Sequence, residues 1–152
     1  MVDEQVEASA QLDLETFLPY RLNRLADRIS DELAQLYEQQ YGITVAQWRV
    51  LAWLSHSRTL TAVQIRQATH MDKARVSRAV KALTERGLVV SQPSKQDQRH
   101  HELQLTSAGA DLLRTLIPQA RAREEAWLAV LSESERQQLW QLVNKLEQTI
   151  AG

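Results

Sequence analysis

The stretch Met71-Asp72-Lys73-Ala74-Arg75-Val76-Ser77-Arg78-Ala79-Val80-Lys81-Ala82-Leu83-Thr84-Glu85-Arg86-Gly87 decides how this chain is read. Its apolar residues Val76, Ala79, Val80 and Leu83 fall at i, i+3, i+4 and i+7, the spacing that gives a helix one buried stripe. With about 100° between successive residues, the opposite face carries Ala74, Ser77, Arg78 and Lys81, flanked by Lys73 and Arg75. That face is cationic. Asp72 is placed to cap the first free N–H groups, and Gly87 stands where a left-handed residue ends a helix.

Working outward, Thr61 to Thr69 predicts a shorter helix, with Thr61 and Gln64 at the spacing of a capping box. His70 and Met71 are all that separates the two helices, which predicts a helix-turn-helix whose second helix presents its N-terminal residues to a DNA major groove. Downstream, Leu88-Val89-Val90 is β-like, Ser91 to His100 is polar and contains Pro93, and His101 to Leu105 alternates polar with apolar. This pattern predicts a β-hairpin with a long tip carrying Lys95, Arg99 and His100.

The order of helix-turn-helix, Glu85-Arg86-Gly87-Leu88-Val89, a wing containing Asp97-Gln98-Arg99, and Leu105-Thr106-Ser107-Ala108-Gly109 resembles the MarR family of bacterial winged-helix regulators. Upstream, Gly42-Ile43-Thr44-Val45-Ala46-Gln47-Trp48-Arg49-Val50-Leu51 resembles that family's second helix. The likeness runs in register from about Gly42 to Leu116 and is far more specific in combination than in any one piece. It implies a mainly α fold with a small β-hairpin wing, flanked by N- and C-terminal dimerisation helices. The expected division is a disordered tail over residues 1–12, a helical dimerisation region over 13–41 and 107–152, and a winged helix-turn-helix over 42–106.

The flanks carry the matching periodicity. An amphipathic pattern develops from Leu12 or Leu14 through Phe17, Leu22, Leu25, Ile29, Leu33 and Leu36, and Pro19 predicts that the continuous helix starts there. Thr44 with Gln47, and Ser132 with Glu135, form two further capping-box pairs, and Thr106 caps the helix after the wing. Pro118 predicts a kink or break in that helix. The first and last helices display more apolar residues than one wing-sized core absorbs, so a homodimer is expected; the bland alternative is a compact monomeric bundle.

Charge is unevenly distributed. From Arg58 to Arg99 nine basic and three acidic residues give +6 within a chain of net charge −1, leaving −7 for the rest. A basic segment between acidic flanks is the footprint of a DNA-binding element. Absence of cysteine excludes disulfides and thiol-based sensing. The chain has no Gly-rich phosphate loop, no recognisable nucleophile signature and no apolar run of the ~20 residues that span a bilayer. It reads as a non-enzyme, cytoplasmic, and without a membrane partner.

Ala74, Arg75, Ser77 and Arg78 are assigned to the major-groove edge, where Arg donates two bonds to guanine, while Lys73 and Lys81 are assigned to phosphates. In C₂ symmetry the dimer reads an inverted-repeat operator in double-stranded DNA, its half-sites about 10 base pairs apart. The resemblance implies that Arg99 enters the minor groove with Asp97 as its orienting carboxylate; the alternative for Asp97 is a plain turn residue. Gln98 stands where the family often has a second cation. Lys95, His100 and the helix end at Thr61 are further phosphate candidates. The resemblance also implies a cleft for a small, often aromatic and anionic, effector, for which Tyr20, Arg21, Arg24, Trp48, Trp53 and His56 are candidates, with core packing the competing reading of the two tryptophans. The four histidines include no H-x-x-x-H pair, so neither metal nor cofactor is expected. The default reading is a repressor released by ligand; a helical interaction module or a nucleoid-type DNA-binding protein is the alternative.

Overall fold

A computed structural model describes residues 10–151. The expected tail over residues 1–12 therefore lies mostly outside the described residues. Helix α1 (Leu18–Tyr41) starts with Pro19 in its first turn after an extended Phe17, and Leu12 and Leu14 precede it in coil and turn. Its end is closed by Gly42, whose N–H donates to Glu38 O at 3.1 Å, and by Ile43 N–H to Tyr37 O at 3.0 Å. Helix α2 (Val45–Ser57) opens with the Thr44–Gln47 capping box and buries Val50, Leu51 and Leu54. Strand β1 (Thr59–Thr61) leads into α3 (Ala62–Thr69), and α4 (Lys73–Glu85) follows. Strands β2 (Val89–Pro93) and β3 (His101–Leu105) make the wing, α5 (Ser107–Leu128) leaves it, and α6 (Glu133–Ile150) closes the chain.

Two expectations change. The wing is not a bare hairpin: β1 adds a third antiparallel strand in the order β1-β3-β2, with Leu60 opposite Leu103 and Val90 opposite Gln104. Three residues are too few to show an alternating pattern, so only pairing with β3 makes this segment a strand. The second is the break at Pro118, one of the two outcomes expected there: α5 continues through it. The proline's missing N–H deprives the carbonyl of Arg114 of its helical partner on the exposed side, open to solvent, while Leu113, Leu116, Ile117 and Ala120 keep both halves against the core.

The core joins these elements around α2. Leu36 and Tyr37 of α1 meet Ile43, Val50, Leu51 and Leu54, and Ile65, Val76, Ala79 and Leu83 close over them from the helix-turn-helix. Leu103 of the sheet and Leu113 and Leu116 of α5 complete it. Helix α6 contributes nothing to this core: none of its residues is buried, and Leu139, Trp140, Leu142, Leu146 and Ile150 are all exposed. In the first half of α1, Leu18, Leu22, Leu25 and Ile29 are exposed as well. No described helix is long and apolar enough to cross a membrane.

Candidate nucleic-acid interface

The turn between α3 and α4 is fixed by local bonds. Thr69 Oγ1 donates to Ile65 O at 2.7 Å and accepts from Met71 N–H at 3.3 Å, while His70 takes a left-handed conformation and Met71 is buried. Asp72 Oδ1 accepts the N–H of Arg75 at 2.7 Å and so starts α4 at Lys73. The helix then buries Val76, Ala79 and Leu83 and leaves Lys73, Ala74, Arg75, Ser77, Arg78 and Lys81 on the exposed side. Lys81 Nζ lies 3.9 Å from Glu85, an exposed contact too weak to withhold its charge from a phosphate.

Arg86, one of the nine basic residues of this segment, is used differently. Its guanidinium donates to Gly42 O at 2.9 Å and Tyr41 O at 3.0 Å, so it fastens the end of α4 to the end of α1. Gly87 follows with φ +68°, a backbone shape that an L side chain resists, and turns the chain into β2. Tyr41 Oη accepts from Gln119 Nε2 at 2.7 Å, which brings α5 into the same joint.

At the wing tip, Asp97 Oδ1 accepts Arg99 N–H at 3.0 Å and lies 3.9 Å from Arg99 Nε. His100 Nε2 is 3.7 Å from the other carboxylate oxygen. The Arg99 side chain is 92% exposed and therefore free to enter a groove. Lys95 is exposed nearby, whereas Thr61 is half-buried and engaged in its own capping box with Gln64. One cation escaped the sequence reading: Arg66, on α3, borders a groove of about 400 Å³ between α3, α4 and the wing, together with Lys73, Lys81 and His101. Nothing in the residue order sets Arg66 beside Lys73; the crossing of α3 over α4 does.

The six candidate effector residues are not brought into one cavity. Arg24 pairs with Glu15 at 3.0 Å, which raises its pKa further, and its guanidinium lies 5.7 Å from the Tyr20 ring centre; Arg21 also faces Glu15 at 3.6 Å. These residues sit at the start of α1. Trp48 stacks on Tyr37 with ring centres 4.7 Å apart, seventeen residues on from Tyr20 and so about 25 Å along the helix at ~1.5 Å per residue. Trp53 and His56 meet edge to face, 5.6 Å apart, near the end of α2. Of the six, only Trp48 lines the large apolar cleft of about 740 Å³ between α1, α2, α5 and α6, with Tyr37, Ile117, Trp127 and Trp140 among its other walls and Arg121 and Glu124 as its charged ones. Among the described residues no cluster of three His, Asp or Glu could hold a metal ion.

The pattern that defines the MarR family matches residues 41–100, from the last residue of α1 to the wing tip. A MarR/EmrR family transcriptional regulator from Acinetobacter sp. ADP1 has the same fold, with a TM-score of 0.83 over 92% of this chain and 99% of its own at 28% identity. The chain belongs to the MarR family. It is a winged-helix transcriptional regulator that binds DNA. Within the MarR family it is 31% identical over 104 residues to the HTH-type transcriptional repressor NicR of Pseudomonas putida, covering 68% of this chain and 66% of that protein. A mutant MarR from Escherichia coli, crystallised with operator DNA, shares the fold at a TM-score of 0.76 and 23% identity, over 90% of this chain and 99% of that one.

Proposed function

We propose that this MarR-family chain is a homodimeric repressor of an inverted-repeat operator, released by a small, largely apolar ligand. The observation that carries the reading is α6: an eighteen-residue helix with no buried side chain and an unbroken apolar stripe. Soluble monomers rarely leave so large a continuous apolar patch in water. A second copy packing its own α1 and α6 against the same elements removes both faces from water in a closed two-fold arrangement.

Two copies of α4 then enter successive major grooves about 34 Å apart. Ala74, Arg75, Ser77 and Arg78 read base edges, Lys73, Lys81, Lys95 and Arg66 neutralise phosphates, and Arg99 reaches into the minor groove, whose negative potential is greatest where A·T pairs narrow it. NicR, the relative at 31% identity, is named a repressor. A dimer seated on a promoter in this way represses by covering it.

For release, the inner cleft supplies the ligand site. Tyr37, Trp48, Ile117 and Ala120 form an apolar floor, and Arg121 supplies a cation at its edge, a combination suited to an aromatic body with one anionic group. Because the cleft lies between α1 and α5, and Arg86 fastens α1 to α4, a ligand that spreads α1 from α5 displaces the reading helix.

The test is selection of genomic fragments on purified protein, followed by titration of the recovered sequence against a scrambled duplex at fixed salt. Preference for an inverted repeat, at two chains per site, supports the reading. A monomer at micromolar concentration, or equal affinity for scrambled duplex, would overturn it.

A further inference from the structure

We propose that Ser94 and Glu102 form a positioning clasp for Arg99, so that operator affinity depends on two side chains that touch no DNA. The proposal rests on the minor-groove role of Arg99 given above. From Ser91 to His101 every residue is exposed except Ser94, at 6%, the one buried polar residue among the described residues. A polar hairpin tip of this kind has no apolar packing to hold it, so its shape depends on its hydrogen bonds.

Those bonds converge on Ser94. Its N–H donates to His100 O at 2.7 Å and closes the loop. Its hydroxyl donates to Glu102 Oε1 at 2.8 Å and accepts the N–H of Gln96 at 3.2 Å. From there the path continues through Asp97, whose carbonyl accepts His100 N–H at 3.0 Å and whose carboxylate accepts Arg99 N–H at 3.0 Å. The anchor of the path is well chosen. Glu102 lies in the central strand, opposite Gln92 on one side and Thr61 on the other, so its backbone is held from both edges.

A carboxylate at the base of a DNA-facing wing repels phosphates and by itself weakens binding. Its compensating role is to accept a charge-assisted hydrogen bond, stronger than one between neutral groups, from the side chain that shapes the loop. A loop already closed before DNA arrives loses less conformational freedom when its arginine enters a groove.

The test compares Ser94→Ala, Ser94→Thr, Arg99→Ala and the Ser94→Ala/Arg99→Ala double variant on the selected operator, with thermal stability, dimer mass and salt slope measured for each. Loss of one charge-assisted bond should lower affinity about fivefold to tenfold in Ser94→Ala, with thermal stability lowered by no more than about 8 °C, dimer mass unchanged, and salt slope unchanged because no phosphate contact is removed. Ser94→Thr, which keeps the hydroxyl, should return to within about twofold of the parent. In the Arg99→Ala background, Ser94→Ala should cost nothing further. Full Ser94→Ala affinity beside a weakened Arg99→Ala would overturn the clasp and leave the minor-groove role standing, as would an undiminished Ser94→Ala loss in the double variant. Parental binding by Arg99→Ala would overturn the minor-groove role, and the clasp with it.

Discussion

Replacing Leu142 with Asp tests the assembly at the place where a folding effect and an association effect separate most cleanly. Leu142 is 59% exposed on α6, a helix that gives no residue to the core. Within a single chain the substitution therefore costs about 0.5 kcal/mol or less. In a dimer the exposed fraction goes out of water. A fully buried Leu contributes about 1.5–3 kcal/mol, so the remaining three-fifths of its area contributes about 1–2 kcal/mol. Two-fold symmetry doubles this to about 2–4 kcal/mol, before any cost of burying the carboxylates, and the dimer constant should weaken about thirtyfold to a thousandfold. Sedimentation equilibrium over a concentration series reads that constant, and far-UV circular dichroism on the same samples reads the fold. Operator affinity should fall towards that of a single half-site. A dimer constant within about threefold of the parent would refute the assignment of this α6 face to the interface.

Gly109→Ala should destabilise the protein by about 2–4 kcal/mol in urea titration. A Cβ there would overlap the Leu88 carbonyl, which accepts Thr106 N–H, while Thr106 Oγ1 caps Gly109 N–H and donates to Gly87 O; parental stability would show that the α5–β2 contact is looser than described. Burial pushes the pKa of Tyr37 up to about 12, and its hydroxyl has no partner among the described residues. The folded chain thus holds that proton more tightly than the unfolded chain does: the associated stability is complete below about pH 10 and is lost as pH rises towards 12. Tyr37→Phe should be as stable as the parent or more so at pH 7 and should lose less between pH 9 and about 11.5; a large loss at pH 7 would reveal a bound partner for the hydroxyl. Lys81→Ala should lower the slope of log affinity against log salt by about two units, close to one per subunit, without altering base preference; an unchanged slope would remove Lys81 from the phosphate contacts.

Much of the winged helix-turn-helix is legible in the residue order because its signals are local. Asp72, Thr44, Thr61, Thr106 and Ser132 each cap a helix through the N–H three residues on, and Val76, Ala79 and Leu83 mark the inner face of α4 by spacing alone. The separation of α4 into buried and exposed sides follows directly. Less of the remaining site could be read this way. The effector candidates near the start of α1 share residue types with those of α2, but about 25 Å of rigid helix parts Tyr20 from the level of Trp48. By residue order Arg86 is one more cation in a basic run, whereas its guanidinium is spent on carbonyls 44 and 45 residues away.

Residue order therefore sets where the helices begin, the cationic face of α4 and the surplus of apolar surface at both ends of the chain. Each depends on interactions within about one or two helical turns, whose cost and gain are set by neighbouring residues. Tertiary structure alone decided that Thr59–Thr61 is a strand, that α5 runs through Pro118, that Arg86 joins α4 to α1 and that Ser94 is buried over Glu102. In each case the outcome depends on a partner brought close by the fold, and a backbone edge, a solvent-facing carbonyl or a buried hydroxyl leaves no periodic trace in the order of residues.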